Sequence, residues 1–436
     1  MRYEWFGEVP AHWEMKRLKF LSHINPSPSE IKHLKNDYEV SFVPMDAVKE
    51  YGGLHLGQIR SLEELRNGFS YFREYDVLIA KITPCFENGK GSLAKGLKNG
   101  IAFGTTELHV VRPTPNLEMC FLFFLTISHA FRKLGASEMY GAGGQKRVST
   151  EFVRDFLTLL PPINEQNYIA RFLEKQTKKI DGLIAAKREL LALLKEKRQA
   201  VITHAVTKGL NPNVKLKPSG INWLRDVPEN WDITHLNRMI QVLDCKHRTV
   251  SFVDDGIPIA SIREVHGFEI DLNRVKQTTY KEFVDLIEGG RQPRIGDIIY
   301  SRNATVGDAA LVTSSQTFCM GQDVCLLRTS VHFPEYLAFL LHSSALRKQL
   351  ESLIVGSIFR RINVSQIKSF WICTPPLKEQ KAIAKFLNSN TKKIDLLISE
   401  IEKAITTLQE YRIALISAAV TGKIDVRNEV EDGAAL

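Results

Sequence analysis

The sequence has no apolar run that reaches the roughly 18 residues of a membrane span. Its most apolar stretch, Cys120 to Ile127, is short and sits among charged residues. The opening MRYEWFGEVP lacks the apolar core of a secretory leader, so a cytoplasmic location is expected. The six cysteines, Cys85, Cys120, Cys245, Cys319, Cys325 and Cys373, form no C-x-x-C pair. Neither a zinc site nor a disulfide framework is therefore indicated, and buried free thiols are expected.

Catalytic signatures are also missing. The nearest approach to a phosphate loop, Pro84 to Ser92, lacks the first glycine and has Gly91 where Ser or Thr must follow Lys90. Gly141-Ala-Gly143-Gly144 resembles a dinucleotide loop but precedes Gln-Lys-Arg rather than opening a helix after a strand. No G-x-S-x-G or H-E-x-x-H occurs, and the twelve histidines are dispersed without metal-ligand spacing. No Asn- or Asp-Pro-Pro-Tyr motif of an amino-methyltransferase occurs either. Leu160-Pro-Pro-Ile163 lacks both the leading polar residue and the aromatic. The expectation is a chain with no catalytic residues, no metal site and no cofactor of its own.

What is present is a duplication. The length of 436 residues suits two or three domains. Trp5-Phe-Gly-Glu-Val-Pro-Ala-His-Trp13 returns as Trp223-Leu-Arg-Asp-Val-Pro-Glu-Asn-Trp231. Pro161-Pro162-Ile-Asn-Glu165-Gln166 returns as Pro375-Pro376-Leu-Lys-Glu379-Gln380. From there the copies run without a gap to Thr207 and Thr421, with close to half of the positions identical, and both contain Thr-Lys-Lys-Ile-Asp, at Thr177 to Asp181 and Thr391 to Asp395. The rest of each half is much less alike. Faint matches join Tyr75–Lys81 to Gly296–Arg302, and the segment from Gly104 to that from Gly321. A tandem of variable and common segments follows: 1–150 variable, 151–215 common, 216–364 variable, 365–436 common.

The common segments read as long helices. Proline pairs mark their starts, Glu165 and Glu379 meet the positive pole, and Gly209 and Gly422 are plausible stops. Apolar residues recur at helical spacing in the first. In the second, Leu387, Ile394, Ile401, Leu408 and Leu415 recur every seven residues, with Leu397, Ala404, Tyr411 and Ala418 as a companion row. Packing the two helices together buries both seams most economically; docking on the adjoining variable domain or on another subunit is the alternative. The variable segments carry strand-like runs, Val40–Val43, Val77–Ala80, Leu108–Val111, Ile257–Ile262, Ile298–Tyr300 and Val324–Leu327. Helical stretches, Leu117–Leu134 and Pro334–Leu353, intervene. The fold class is thus α/β (α+β): two mixed α/β domains separated by two long antiparallel coiled-coil-like helices, an internal pseudo-twofold repeat.

The net charge of +9 suits a polyanionic partner. Candidate DNA contacts are Gln145, Lys146 and Arg147 in one half and Arg360 and Arg361 in the other, at nearly equivalent places before the common helices. Lys81 and Arg302 each follow a short apolar strand, and Gln322 lies in the segment after Gly321. Arginine can bond guanine bidentately and glutamine adenine, although phosphate contact is the commoner fate of a basic side chain.

The doubled Trp-x-x-(Glu/Asp)-Val-Pro-x-x-Trp, the Asp-(Val/Ile)-(Leu/Ile) strand and Pro-Pro-x-x-Glu-Gln before a helix with Thr-Lys-Lys-Ile-Asp resemble the specificity subunit of type I restriction–modification systems across nearly all of the chain. The resemblance implies two target-recognition domains that each read half of a split double-stranded DNA site. It implies paired helices that set the gap and dock two methyltransferase subunits, with motor-nuclease subunits completing the assembly. S-adenosylmethionine, ATP and magnesium would serve those partners. Glu165, Gln166, Lys178 and Lys179, with Glu379, Gln380, Lys392 and Lys393, are the candidate partner contacts. The short acidic tail from Asp425 has no counterpart after the first helix and is expected to lack order. A structural coiled-coil adaptor and a divergent DNA-modifying enzyme are the competing readings.

Overall fold

The two long helices begin where the prolines place them. They span Ile163–Lys208 and Leu377–Val420 in a computed structural model that describes residues 9–142, 144–354 and 361–427. Each ends at a glycine in the left-handed region, Gly209 (φ 76°) and Gly422 (φ 72°), where a side chain is strained. A Cβ there would also meet an indole: Trp231 lies 3.3 Å from the position at Gly209, and Trp13 lies 3.2 Å from that at Gly422.

The chain divides into two compact units, Met1–Arg188 with Lys403–Leu436, and Glu189–Glu402. Every residue of the repeated Thr-Lys-Lys-Ile-Asp block has the same task in both. Thr177 and Thr391 are buried, and their hydroxyls donate to the carbonyls of Leu173 and Leu387. Ile180 and Ile394 are buried, whereas the lysine pairs are exposed. The aspartates reach across to the other helix. In the first unit Arg412 Nε donates to Asp181 at 2.9 Å; in the second Arg198 Nε donates to Asp395 at 2.7 Å. Early residues of one helix thus meet late residues of the other, so the helices run antiparallel within each unit. The apolar seam is narrower than the periodicity predicts. Leu387 and Ile394 are buried, but Leu397 is 53% and Tyr411 56% exposed, and Leu183 and Leu190 on the first helix are exposed as well. Within the companion row only Leu397 and Tyr411 are uncovered, whereas Ala404 and Ala418 are half-buried.

The two repeated motifs turn out to be each other's partners. The indole Nε1 of Trp13 donates to Glu165 at 2.9 Å, and that of Trp231 donates to Glu379 at 3.1 Å. Trp231 is fully buried. Trp5 and the rest of positions 1–8 lie outside the described residues. The segment after the second helix is tied down: Val426 is buried, Arg427 bonds Asp425, and the expectation of a tail without order fails for residues 425–427. The residues from 428 onward are outside the described set.

Each unit holds the same antiparallel four-stranded sheet. In the first the order is Ser22–Ile24, Leu108–Pro113, Val77–Ala80, Gly91–Leu93; in the second it is Gln241–Asp244, Val324–Arg328, Ile298–Ser301, Ala309–Leu311. The registers correspond, Val77 opposite Val111 and Ile298 opposite Leu327. A second sheet differs more between units, keeping one parallel pair in each, Glu39–Val43 with Ile101–Gly104 and Ile257–Ala260 with Cys319–Met320. The helical stretches each break in two, as Met119–Ile127 and His129–Ser137, and as Pro334–Leu341 and Ser344–Ile354. Ser128 makes the first break by capping the following helix through Phe131 N. Among the described residues no single helix is long and apolar enough to cross a membrane.

Candidate nucleic-acid interface

The faint sequence matches between the halves mark one construction. Asp76 and Asp297 are buried at the starts of the central strands. Asp76 accepts from Arg112 Nε and Nη2 at 2.7 and 2.8 Å, and Asp297 from Arg328 at 2.9 and 2.6 Å. Each also accepts a backbone N–H three residues earlier, from Arg73 and Arg294. The ion pair fixes the strand at one end, and its other end delivers Lys81 or Arg302.

Beyond that end the backbone repeats itself. Lys81 N donates to Glu107 O and Arg302 N to Asp323 O, both at 2.9 Å; Val148 N donates to Lys81 O and Ile362 N to Arg302 O. Isolated bridges pair Ile82 with Arg147 and Asn303 with Arg361. The segments before the short helices Thr150–Asp155 and Val364–Lys368 are thus sewn to the strand ends. Lys81, Gln145, Lys146 and Arg147 come together in the first unit, and Arg361 and Asn303 in the second. Gln145 and Lys146 are exposed, Lys81 and Arg147 half-buried, and Arg361 exposed. Gln322 is exposed and donates to Thr249 Oγ1. Arg360 and Gly143 lie outside the described residues.

Arg302 departs from the expectation that a strand-end side chain projects outward. It is 3% exposed, with Nη2 2.9 Å from Asp244 and 3.2 Å from His247 Nε2. Sequence spacing could not reveal this, because the acceptors lie on a different strand and loop. Asp244, Cys245 and His247 bring metal-ligand atoms within 4.8 Å of one another, but the guanidinium already supplies the positive charge there. Another residue that the sequence does not advertise is Arg132. It is buried, donates to the carbonyls of Phe86 and Lys90, and so holds the loop that follows Lys81. Burial pushes its guanidinium down to about 9.

Carboxylates face these cations in both units. Arg147 donates to Glu107 through Nε at 3.0 Å and Nη2 at 2.8 Å, and Arg361 Nη2 lies 3.3 Å from Asp323. The bond from Arg147 holds the Glu107 carboxyl below its usual range. Beneath it, His109 Nε2 meets Val148 O at 3.0 Å, and in the second unit His342 Nε2 meets the carbonyls of Gly267 and Ala309. Burial lowers both histidines below the ordinary 6.5. The unfolded chain therefore binds more protons between the folded value and 6.5, so stability is full above 6.5 and is lost as pH falls through that window. Thermal melts between about pH 7.5 and about pH 5.5 should show a falling midpoint. The fall should be shallower in His342→Gln; an identical slope would assign the effect to other groups.

The expected partner contacts divide. Gln166 and Gln380 are 1% exposed and used internally: Gln166 accepts from Glu118 N and donates to Pro161 O, while Gln380 accepts from Phe333 N and donates to Pro375 O. Glu165 and Glu379 hold the tryptophans. Lys178, Lys179, Lys392 and Lys393 remain at the surface. Lys178, Asp181 and Arg412 line a groove of about 800 Å³ in the first unit, and Lys392, Asp395 and Arg198 line one of about 1200 Å³ in the second. The side of the groove formed by the helices is therefore the same in both.

Comparison with known proteins gives this doubled plan a family. Residues 10–192 and 228–407 each match the type I restriction modification DNA specificity domain. The chain is 40% identical over 164 residues to the type I restriction enzyme EcoAI specificity subunit of Escherichia coli, covering 37% of this chain and 27% of that protein. It is 34% identical over 220 residues to the EcoEI specificity subunit of Escherichia coli, 50% of this chain and 36% of that one. The matches thus span well under half the length of these two relatives. The putative type I restriction enzyme MjaX specificity subunit of Methanocaldococcus jannaschii is matched over 97% of this chain and 96% of its own length, at 23% identity. Two solved structures share the fold at 17% identity, each over 96% of this chain. One, from work on complex assembly and conformational transition of the type I R-M system, is covered completely with a TM-score of 0.74. The other, the HsdS subunit from Thermoanaerobacter tengcongensis, is covered over 98% with a TM-score of 0.55. A chain that carries the domain twice, each copy with the same strand-end construction and the same helical frame, belongs to the type I restriction modification DNA specificity domain family.

Proposed function

We propose that this chain is the DNA-reading specificity subunit of a type I restriction–modification assembly and catalyses nothing itself. Segments 1–150 and 216–364 are the readers, and each reads one half of a split, asymmetric double-stranded site. Segments 151–215 and 365–436 are the frame. The observation that carries this reading is the basic strand-end construction, kept in both units while the surrounding sequence diverges. Cations at that edge attract phosphate, and Gln145, Arg147 and Arg361 are of the kind that read base edges.

The frame docks two methyltransferase subunits. The equivalent grooves and the exposed Lys178, Lys179, Lys392 and Lys393 offer one partner two like sites. Uncovered Leu183 and Tyr411 in the first unit, and Leu190, Leu193, Leu396 and Leu397 in the second, supply apolar area. Motor-nuclease subunits complete the cutting enzyme. S-adenosylmethionine, ATP and magnesium belong to those partners.

Methylation mapping in cells that carry this subunit with its partners tests the reading. Exchanging residues 1–150 for those of a relative should change one half-site and leave the other intact. A change in both halves would mean that the units are not independent readers, and methyl transfer by the purified chain alone would overturn the non-catalytic assignment.

A further inference from the structure

A DNA-binding edge has reason to avoid carboxylates, since each one repels the phosphate backbone. Yet Glu107 and Asp323 stand at equivalent points of the two units, each beside the arginine that its neighbouring strand end is sewn to. The pairs are half-exposed: the side chains of Arg147 and Glu107 are 37% and 26% accessible, those of Arg361 and Asp323 55% and 24%. Such pairs add little stability, so stability does not account for finding one in each of two divergent domains.

Geometry suggests another use. Glu107 takes Nε and Nη2 of Arg147, one edge of the guanidinium fork, at 3.0 and 2.8 Å. That fixes the plane of the group and leaves Nη1 outside the bond. In the second unit the hold is looser: Asp323 reaches only Nη2 of Arg361, at 3.3 Å, and its other oxygen accepts from Asn303. The end edge of the fork, Nη1 with the second Nη2 hydrogen, is the edge that meets guanine O6 and N7. A guanidinium held this way loses freedom to follow a phosphate, while its carboxylate raises the electrostatic cost of any backbone that comes close.

We propose that Glu107 and Asp323 are specificity-determining positioning residues that turn Arg147 and Arg361 from phosphate ligands into guanine readers, one in each half-site. This rests on the DNA-reading function proposed above. Without the carboxylate, the arginine binds backbone of any sequence, and the unit becomes stickier and less selective. A carboxylate that merely braced the fold would, on removal, weaken all binding alike.

The test uses the full chain and a pool of randomised duplexes, with affinity measured across a salt series and bound sequences read out. Glu107→Gln should bind the unselected pool about three- to tenfold more tightly, with a salt slope steeper by about one. Guanine enrichment at one position of one half-site should fall about tenfold, and the other half-site should be unchanged. Asp323→Asn should act in the same direction but more weakly on the opposite half-site, since its arginine is held by one contact, and it keeps the proposal testable if Glu107→Gln does not fold. Retained guanine enrichment, or loss of affinity for pool and selected sequences together, overturns the proposal. Arg147→Ala separates the two layers: it should abolish the same guanine. If it alters neither motif, affinity nor salt slope, this edge does not read DNA and the proposal falls, while the DNA-reading function is left to the methylation mapping described above.

Discussion

Insertion of four residues into each long helix, after Lys187 and after Ile401, is expected to end methylation of the original target and to create a new one. The new target should keep both half-sites and have a gap longer by one or two base pairs. The two points are equivalent in the repeat. Four residues add about 6 Å, a little more than one turn, so the buried seam stays on its side of the helix. At about 3.4 Å per base pair the added length corresponds to roughly two pairs. The helices of 46 and 44 residues are long enough, at about 1.5 Å per residue, to span well beyond one turn of duplex. Insertion into one helix alone should cost activity without a new gap, because Asp181–Arg412 and Arg198–Asp395 cannot both be kept. An unchanged gap in a folded, active assembly with both insertions would show that the helices do not set the spacing.

Asp297→Asn is expected to cost the second unit about 1.5–3 kcal/mol, because it strips the half-buried Arg328 guanidinium of its charge partner. Asp297 is 3% exposed and takes two bonds from Arg328, whose other acceptors, the carbonyls of Gly290 and Gln292, are uncharged. Asp76→Asn should cost less. Arg112 keeps Glu30, whose carboxylate lies 2.6 Å from its Nη1. Against a typical stability of about 5–15 kcal/mol, the loss from Asp297→Asn should be visible in urea melts of the intact chain as an early transition. The double substitution Asp297→Leu with Arg328→Met should recover part of it, since apolar replacement of both members of a largely buried pair is often near neutral. A loss below about 1 kcal/mol for Asp297→Asn would mean that the pair is solvated.

What could be read in the sequence was what repeats or alternates locally. The Pro-Pro starts, the glycine stops and the central strands were legible because each is fixed by neighbours within a few positions. The purpose of the doubled tryptophan motif was not, because its acceptor is the glutamate of the other motif, more than 150 residues along in the first half. Gln166 and Gln380 looked like exposed helix-start polar groups, and only tertiary structure shows that they bond the loops before Met119–Ile127 and Pro334–Leu341. Arg302 matched Lys81 by strand position, yet Asp244 turned it inward. Leu397 and Tyr411 of the heptad companion row were apolar but uncovered, because periodicity reports which side a residue is on and not whether anything lies opposite. The short match Asp-Val-Leu-Ile against Asp-Ile-Ile-Tyr marks the buried aspartate whose ion pair anchors the strand leading to the candidate interface.

The division of the chain also has a consequence for its synthesis. The first unit draws Ile416, Ala419, Val420 and Val426 into the core built from residues near the amino terminus, whereas the second is drawn from one continuous stretch, Glu189–Glu402. On the ribosome the order of completion therefore inverts the order of appearance. At translation rates of about 5–20 residues per second, the first unit waits on the order of ten seconds or longer for its missing wall. During that time Phe172, Leu173 and Ile169 of the emerging helix have no partner from the late segment. The unit that emerges first is thus the one with the greater need of a chaperone, and a chain truncated after residue 402 carries a complete second unit tethered to an unfinished first.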